Sequence, residues 1–265
     1  MASGSKGNVL YLGTSRTKIL IDAGLSAKAI REKLAEIHVD ISEIEAVLVT
    51  HEHGDHIRGI STLAGKYGIP VFANSDTAKA ICSQLETRPK FKIFSTGETF
   101  VYKDLEIHPF SVQHDTLDPV AFTVQIGAVK MGICTDLGFV TTLVQSHLQR
   151  CDYVFIEANH EPSLVHGCAR PMVYKKRVLG RQGHLSNEAC AVLIKEIMHP
   201  NLKKIYLAHL SSECNRPDLA IETVRQHLKD TGREVPISLA LQDSVSEAIF
   251  FEDVVQNSGY TEPHK

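Results

Sequence analysis

The chain contains no tryptophan, and aromatic residues occupy only 6% of its 265 positions. A surface that stacks a run of unpaired bases needs several such rings, and this composition is poor in them. Positive charge is not in excess either: Lys and Arg total 28 against 31 Asp and Glu, for a formal net charge of −3. A chain-wide basic field is therefore excluded, and any nucleic-acid binding must come from a local patch. No run approaches the ~20 apolar residues of a membrane helix, and the opening Met1-Ala2-Ser3-Gly4-Ser5-Lys6-Gly7 has no apolar stretch that would suggest a signal peptide. The six cysteines (Cys82, Cys134, Cys151, Cys168, Cys190, Cys214) include no Cys-x-x-Cys pair and do not suggest a disulfide framework in a chain this long. The expectation is a cytoplasmic protein with no membrane association and no evident obligate protein partner. Hydrophobic residues at 43% and charged residues at 22% are ordinary for a globular domain. Histidine is abundant, with fourteen residues, and is the first sign of metal.

Periodicity predicts alternating strands and helices. Strands are expected over 9–12, 18–21, 46–50, 70–72, 91–94, 99–102, 105–110, 121–126, 129–134, 153–158, 204–207 and 237–241. Helices are expected over 26–37, capped by Ser26, and over 59–67, 77–85, 186–198 and 218–229. The stretch 159–183 reads as irregular and basic. A single domain over 1–255 is expected, followed by a loose polar tail over 256–265. A theme recurs: a strand, a metal-type residue at its C-terminal end, then a helix, the place where open α/β sheets build their sites.

The densest chemistry is His51-Glu52-His53-Gly54-Asp55-His56. Four donors within six residues cannot all be aimed at one point by a regular helix or strand. A tight loop following the β-branched run 46–50 can do so, with Gly54 supplying backbone freedom. Imidazoles suit zinc and other transition ions, and carboxylates favour harder ones. One ion cannot be served comfortably by all four. Two ions about 3.5–4 Å apart can be, with His51 and His53 on one and Asp55 and His56 on the other.

This His-x-His-x-Asp-His pattern resembles the defining motif of the metallo-β-lactamase superfamily, and the likeness extends over nearly the whole chain. It implies an αββα four-layer sandwich of the α/β class and two divalent metal ions, Zn²⁺ or Mn²⁺. His114, in Val112-Gln113-His114-Asp115, matches the histidine that completes the first ion. Asp136, in Cys134-Thr135-Asp136, matches the bridging aspartate. His209, in Leu207-Ala208-His209-Leu210, completes the second. Asp22 matches an aspartate that orients the loop histidines from behind. The implied enzyme is a metal-dependent hydrolase in which Asp55 and Asp136 serve a metal-activated water.

Three further segments narrow the class: Ser3-Gly4-Ser5-Lys6-Gly7-Asn8, Glu157-Ala158-Asn159-His160 and Arg181-Gln182-Gly183-His184-Leu185-Ser186-Asn187. Together they resemble the YycJ/WalJ branch, which implies a phosphodiesterase with DNA as substrate, acting as an exonuclease. The Gly-His-Leu-Ser stretch also resembles the phosphate-contacting motif of the ribonuclease J and β-CASP nucleases. The 72 residues between Asp136 and His209 leave no room for a β-CASP insertion. His184 is the expected catalytic proton carrier. Ser186, Asn187 and Arg177 are expected phosphate contacts, at a helix N-terminus behind a basic lead-in of Lys175, Lys176, Arg177 and Arg181. Relatives of this type carry an apolar strand before the Ser-Gly-Ser segment, so a shortened or absent first strand is expected here. Two alternatives use the same metal residues: a small-molecule thioesterase or lactonase, favoured by the negative net charge and the scarce aromatics, and a non-catalytic metal-binding module.

Overall fold

The computed structural model describes residues 1–85 and 88–250; the expected tail over 256–265 lies outside them. Two sheets face each other. The first contains β1 (Leu10–Gly13), β2 (Lys18–Ile21), β3 (Ala46–Leu48), β4 (Val71–Ala73) and β5 (Phe91–Ile93), side by side in that order. β1 and β2 form a hairpin, and the rest run parallel, joined by helices α1 (Ala27–Glu36), α2 (Gly54–Ile57), α3 (Ile60–Tyr67) and α4 (Ser75–Gln84). The second sheet begins as an antiparallel meander of β6 (Phe100–Tyr102), β7 (Leu105–Ser111), β8 (Val120–Ile126) and β9 (Val129–Cys134). It continues in parallel through β10 (Tyr153–Glu157), β11 (Lys204–Ala208) and β12 (Ile237–Leu239). Its helices are α5 (Thr142–Leu148), α6 (Pro162–Gly167), α7 (Met172–Val178), α8 (Asn187–Ile197) and α9 (Pro217–Leu228).

Alternation along the strands sorts side chains into three apolar layers. In β2, Leu20 faces α1 and α3, while Ile19 and Ile21 face the other sheet. In β3, Val47 points toward the helices and Ala46 and Leu48 toward the second sheet. The outer layer of the second sheet packs Val154 and Ile156 of β10 against Leu193 and Ile194 of α8. Both sheets are thus covered on both faces, so their central strands read as continuous apolar runs. Full burial of each Val, Leu or Ile contributes roughly 1.5–3 kcal/mol. The result is the αββα sandwich expected from the sequence.

Two expectations change. Residues 159–183 are not irregular: they carry α6 and α7. With six and seven residues, these helices are too short to show a 3.6-residue period over two turns, and Pro162 and Pro171 sit at their starts. Helix α5 escapes for the same reason, although Thr141 caps it by accepting from the Val144 N–H at 3.2 Å. At the chain start, residues before β1 form no strand of their own: Ala2 and Val9 make one bridge, and the Ser3 N–H donates to the Leu241 carbonyl at 3.2 Å. Beside them an apolar cavity of about 460 Å³ lies between the sheets, bordered by Leu10, Leu12, Met131, Phe155 and Tyr206.

Candidate metal centre

The C-terminal ends of β2, β3, β9, β10 and β11 meet along one edge of the sandwich, and each delivers a polar side chain there. Asp22 and His209 follow β2 and β11 directly and Asp136 follows β9 after one residue, and Asp22, Asp136 and His209 all take left-handed backbone angles, with φ of 59°, 56° and 54°. Aspartate and histidine tolerate this region better than branched residues. The sharp turn swings each side chain off its strand and into the centre, and such strain clusters at functional sites.

The His51–His56 segment is partly helical. Asp55 and His56 lie on α2, which Gly54 opens. Gly54 is not in the left-handed region, and a Cβ added to it would meet nothing within 4 Å. The expected need for glycine flexibility at this position is therefore corrected. The constrained glycine is Gly24, where a Cβ would lie 1.6 Å from the Asp55 carbonyl oxygen. The close approach of the β2–α1 turn to α2 requires the missing side chain.

Each ligand-type imidazole is held from behind. His56 Nδ1 lies 2.8 Å from Asp22 Oδ2, and His51 Nδ1 lies 2.9 Å from the Thr50 hydroxyl. Thr50 is fixed in turn by Asp22, which accepts from its N–H at 2.8 Å. His114 Nδ1 meets the Gly183 carbonyl at 3.0 Å, and His209 Nδ1 meets Glu157 Oε1 at 2.8 Å. In these four rings Nε2 is the nitrogen turned toward the centre; it has no partner among the described residues in His114 and His209, and it meets His53 Nδ1 in His51 and the Asn8 amide in His56. His53 approaches from the more exposed side, its Nδ1 3.2 Å from His51 Nε2.

These atoms form overlapping groups whose ligand-type atoms all lie within 4.8 Å of one another: His51, His53 and His114; Asp55, His56 and His209; His51, His56 and Asp136; and Asp136, Glu157, His184 and His209. Three fully buried atoms, His114 Nε2, Asp136 Oδ2 and His209 Nε2, make no hydrogen bond with the described residues. Orphaned polar atoms at such depth are costly unless something pairs with them. Burial pushes the His51, His53 and His114 rings below their usual pKa and keeps them neutral, the form that binds metal. Burial also opposes charge on His209, but Asp136, Asp55 and Glu157 outweigh it and push the ring up to about 10. This half of the centre favours positive charge. A neutral imidazole set beside a carboxylate-rich set fits divalent cations.

His184 joins this network without taking the place of a loop histidine. Its Nδ1 is 2.8 Å from Glu157 Oε1 and 3.6 Å from Asp136 Oδ1. Glu157 is wholly buried, and its Oε2 accepts from the backbone N–H groups of Leu137 at 2.9 Å and Leu185 at 3.1 Å. Burial alone would raise this acid, but His184 and His209 outweigh it and hold the carboxyl at about 2. One carboxylate thus ties together the loop after Asp136, the His184 segment and His209. Sequence reading quotes Glu157 within a motif but gives it no role; its place at the end of a buried strand, like Asp136 and His209, is the signal that marks it. Asn8 and Ser3 also reach the centre. The Asn8 side-chain amide lies 3.0 Å from His56 Nε2, and Ser3 Oγ accepts from the His209 N–H at 2.8 Å. Ser5 is exposed.

The expected phosphate contacts fare differently. Asn187 is fully buried, and its side-chain amide exchanges hydrogen bonds with Asn215 at 2.9 Å in both directions. Its backbone N–H donates to the His160 carbonyl at 2.9 Å. The expectation of Asn187 as a phosphate contact is therefore corrected: it fastens α8 to the loop before α9. Ser186 is half-buried and caps α8, accepting from the Ala189 N–H at 3.2 Å. Arg177 stands at the mouth of the centre in a two-pronged pair with Asp115, at 2.5 Å and 3.1 Å. Asp115 lies 3.4 Å from His114 Nε2 and 3.6 Å from His53 Nε2. Lys175 donates to the His166 carbonyl, and the Arg181 guanidinium lies 4.2 Å from the Phe139 ring centroid.

The chain is similar to known proteins along nearly its whole length. Residues 17–209 match the family model described as a β-lactamase superfamily domain. The chain is 36% identical over 247 residues to a protein of Bacillus anthracis named exodeoxyribonuclease YycJ, covering 92% of this chain and 93% of that one. It is 36% identical over 249 residues to exodeoxyribonuclease WalJ of Streptococcus pneumoniae, covering 92% of each. Among solved structures, the metallo-β-lactamase fold protein YhfI of Bacillus subtilis superposes with a TM-score of 0.68 at 15% identity, over 91% of this chain and 93% of that one, a likeness of fold. A histidine-aspartate centre at the strand ends of an αββα sandwich, together with matches of this extent, makes the chain a metal-dependent hydrolase of the metallo-β-lactamase superfamily, on the branch of YycJ and WalJ.

Proposed function

We propose that the protein is a DNA exonuclease that hydrolyses phosphodiester bonds at a centre of two divalent ions. His51, His53 and His114 would hold one ion and Asp55, His56 and His209 the other, with Asp136 between them. When bound, such a pair lowers the pKa of a water and offsets the negative charge that develops on the phosphate. The water oxygen bonds to phosphorus while the bond to the leaving oxygen breaks. Asp55, half-exposed beside the centre, takes the proton that the water gives up. His184 gives its proton to the leaving oxygen. Glu157 accepts from His184 Nδ1, which fixes the ring and leaves Nε2 to face the substrate. Arg177 stands at the mouth paired with Asp115, so a substrate phosphate would have to take its guanidinium from that carboxylate.

The observation that carries this reading is the Glu157 bridge. It holds the His184 imidazole, bonded at 2.8 Å, beside the His209 imidazole bonded to the same oxygen at 2.8 Å. A leaving alkoxide needs a proton, and an imidazole held in this way supports His184 as its source. The exodeoxyribonuclease names of the two relatives support DNA as the substrate.

The test is a time course on 5′- and 3′-labelled single- and double-stranded DNA, using metal-stripped protein with Mn²⁺ or Zn²⁺ restored. Progressive shortening that requires metal is expected. No cleavage with either ion, accompanied by hydrolysis of thioesters or lactones, would overturn the proposal in favour of a small-molecule hydrolase.

A further inference from the structure

A second cleft, of about 630 Å³, is lined by His184 but by none of the residues proposed to hold the metal ions. This volume lies within the roughly 300–1,000 Å³ range of small-molecule sites. Its apolar floor includes Val140, Val192 and Leu193, and Phe139 adds an aromatic ring. Gln145, Thr142 and Glu196 supply hydrogen-bonding groups, and no lysine or arginine is among its described lining residues. His160 also lines the cleft; it is 2% exposed, and its Nδ1 has no hydrogen-bond partner among the described residues. Burial pushes this ring down to about 4, so it is neutral at physiological pH.

We propose that this cleft is the subsite for the nucleoside on the leaving side of the scissile phosphate. This rests on the nuclease reading and deepens it. No lysine or arginine is among the described lining residues, Arg181 being stacked on the Phe139 ring, and Glu196 adds a carboxylate, which favours a neutral occupant over a phosphate. Its mixture of ring, apolar floor and amide or hydroxyl groups matches a base and its sugar. His184 belongs both to the cleft and to the Glu157 network, so a ligand seated here is joined to the reacting phosphate through the atom that His184 protonates. The orphaned His160 nitrogen is a buried polar group awaiting a partner, which a sugar or base heteroatom provides.

The test compares wild type with two variants of the metal-loaded protein on a labelled oligonucleotide, with bound metal measured alongside by atomic emission. Thr142→Trp fills the cleft from an exposed position on α5, and Gln145→Ala removes an amide without adding bulk. Folding is checked by circular dichroism. The expected result is a loss of about tenfold or more in kcat/KM with Thr142→Trp, and a smaller loss with Gln145→Ala, while bound metal stays within error of wild type (tenfold corresponds to 1.4 kcal/mol). Unchanged oligonucleotide turnover in the folded variants, or losses in proportion to lost metal, would overturn the subsite. Failure of the wild-type protein to cleave the oligonucleotide would overturn the nuclease reading itself, and that outcome is visible before any variant is made.

Discussion

The two halves of the metal centre are built differently. The half contributed by the first sheet is compact in sequence: His51, His53, Asp55 and His56 sit within six residues, supported by Asp22 and Thr50 of the neighbouring strand ends. The half contributed by the second sheet is dispersed: His114, Asp136, Glu157, His184 and His209 come from five separate segments, and Glu157 is the point where three of those segments meet. A local cluster needs only a turn and a helix to converge. A dispersed one needs the whole second sheet in register and a buried carboxylate to lock it. The first half is therefore sensitive to its ligands and the second to its organiser.

The most severe way to break this comparison is to remove the residue between the halves. Asp136→Ala is expected to lose bound metal, measured by atomic emission, and to lower hydrolysis to background. Retention of full metal content would show that Asp136 is not shared. A milder pair sharpens the contrast. Asp22→Asn and Glu157→Gln each alter a group that positions others, a class of change that costs about 10–100-fold in metal affinity or activity. Asp22→Asn is expected to weaken metal affinity and to leave kcat at saturating metal within about threefold, a limit set well below that range. Glu157→Gln is expected to lower kcat even when metal is saturating, because His184 loses its orientation as well. Metal titrations followed by rate measurements distinguish the two, and identical behaviour would erase the difference between the halves.

A third variant addresses stability. Asn187→Ala leaves the buried Asn215 side chain without its partner, at a cost of about 1–3 kcal/mol, read as a lowered denaturant midpoint with near-normal kcat in the folded protein. A large loss of kcat with no loss of stability would return Asn187 to the substrate. The smallest effect is expected at Gly54→Ala. Its Cβ meets open space on a helical turn, so a gain of about 0.4–1 kcal/mol is expected, with metal content unchanged. Loss of metal in this variant would mean that the turn needs glycine after all.

The same contrast explains what the sequence revealed. The continuous apolar run at Ala46–Leu48 marked a strand buried on both faces, and the loop cluster at its end marked itself by density alone. His114, Asp136 and His209 were found through family likeness and their positions at strand ends. Glu157 closes a buried strand as Asp136 and His209 follow theirs, but that place alone assigns it no task; its importance arises from four long-range hydrogen bonds that only the folded sheet creates. A helix-start asparagine such as Asn187 looks the same in sequence whether its amide faces solvent or, as here, the buried Asn215. Gly54 and Gly24 show the same limit for backbone: the need for glycine is set by how closely another chain segment passes, 1.6 Å from a Cβ at Gly24 and open space at Gly54.

The central claim is that His184 is a proton carrier held beside the metal centre and separate from its ligands. It is tested most directly by measuring bound metal and DNA turnover in His184→Ala alongside wild type. The account predicts metal content within error of wild type and a kcat lowered by about 10²–10⁴-fold, the usual contribution of a positioned general acid. Wild-type turnover in the variant, or loss of activity in proportion to lost metal, would contradict it.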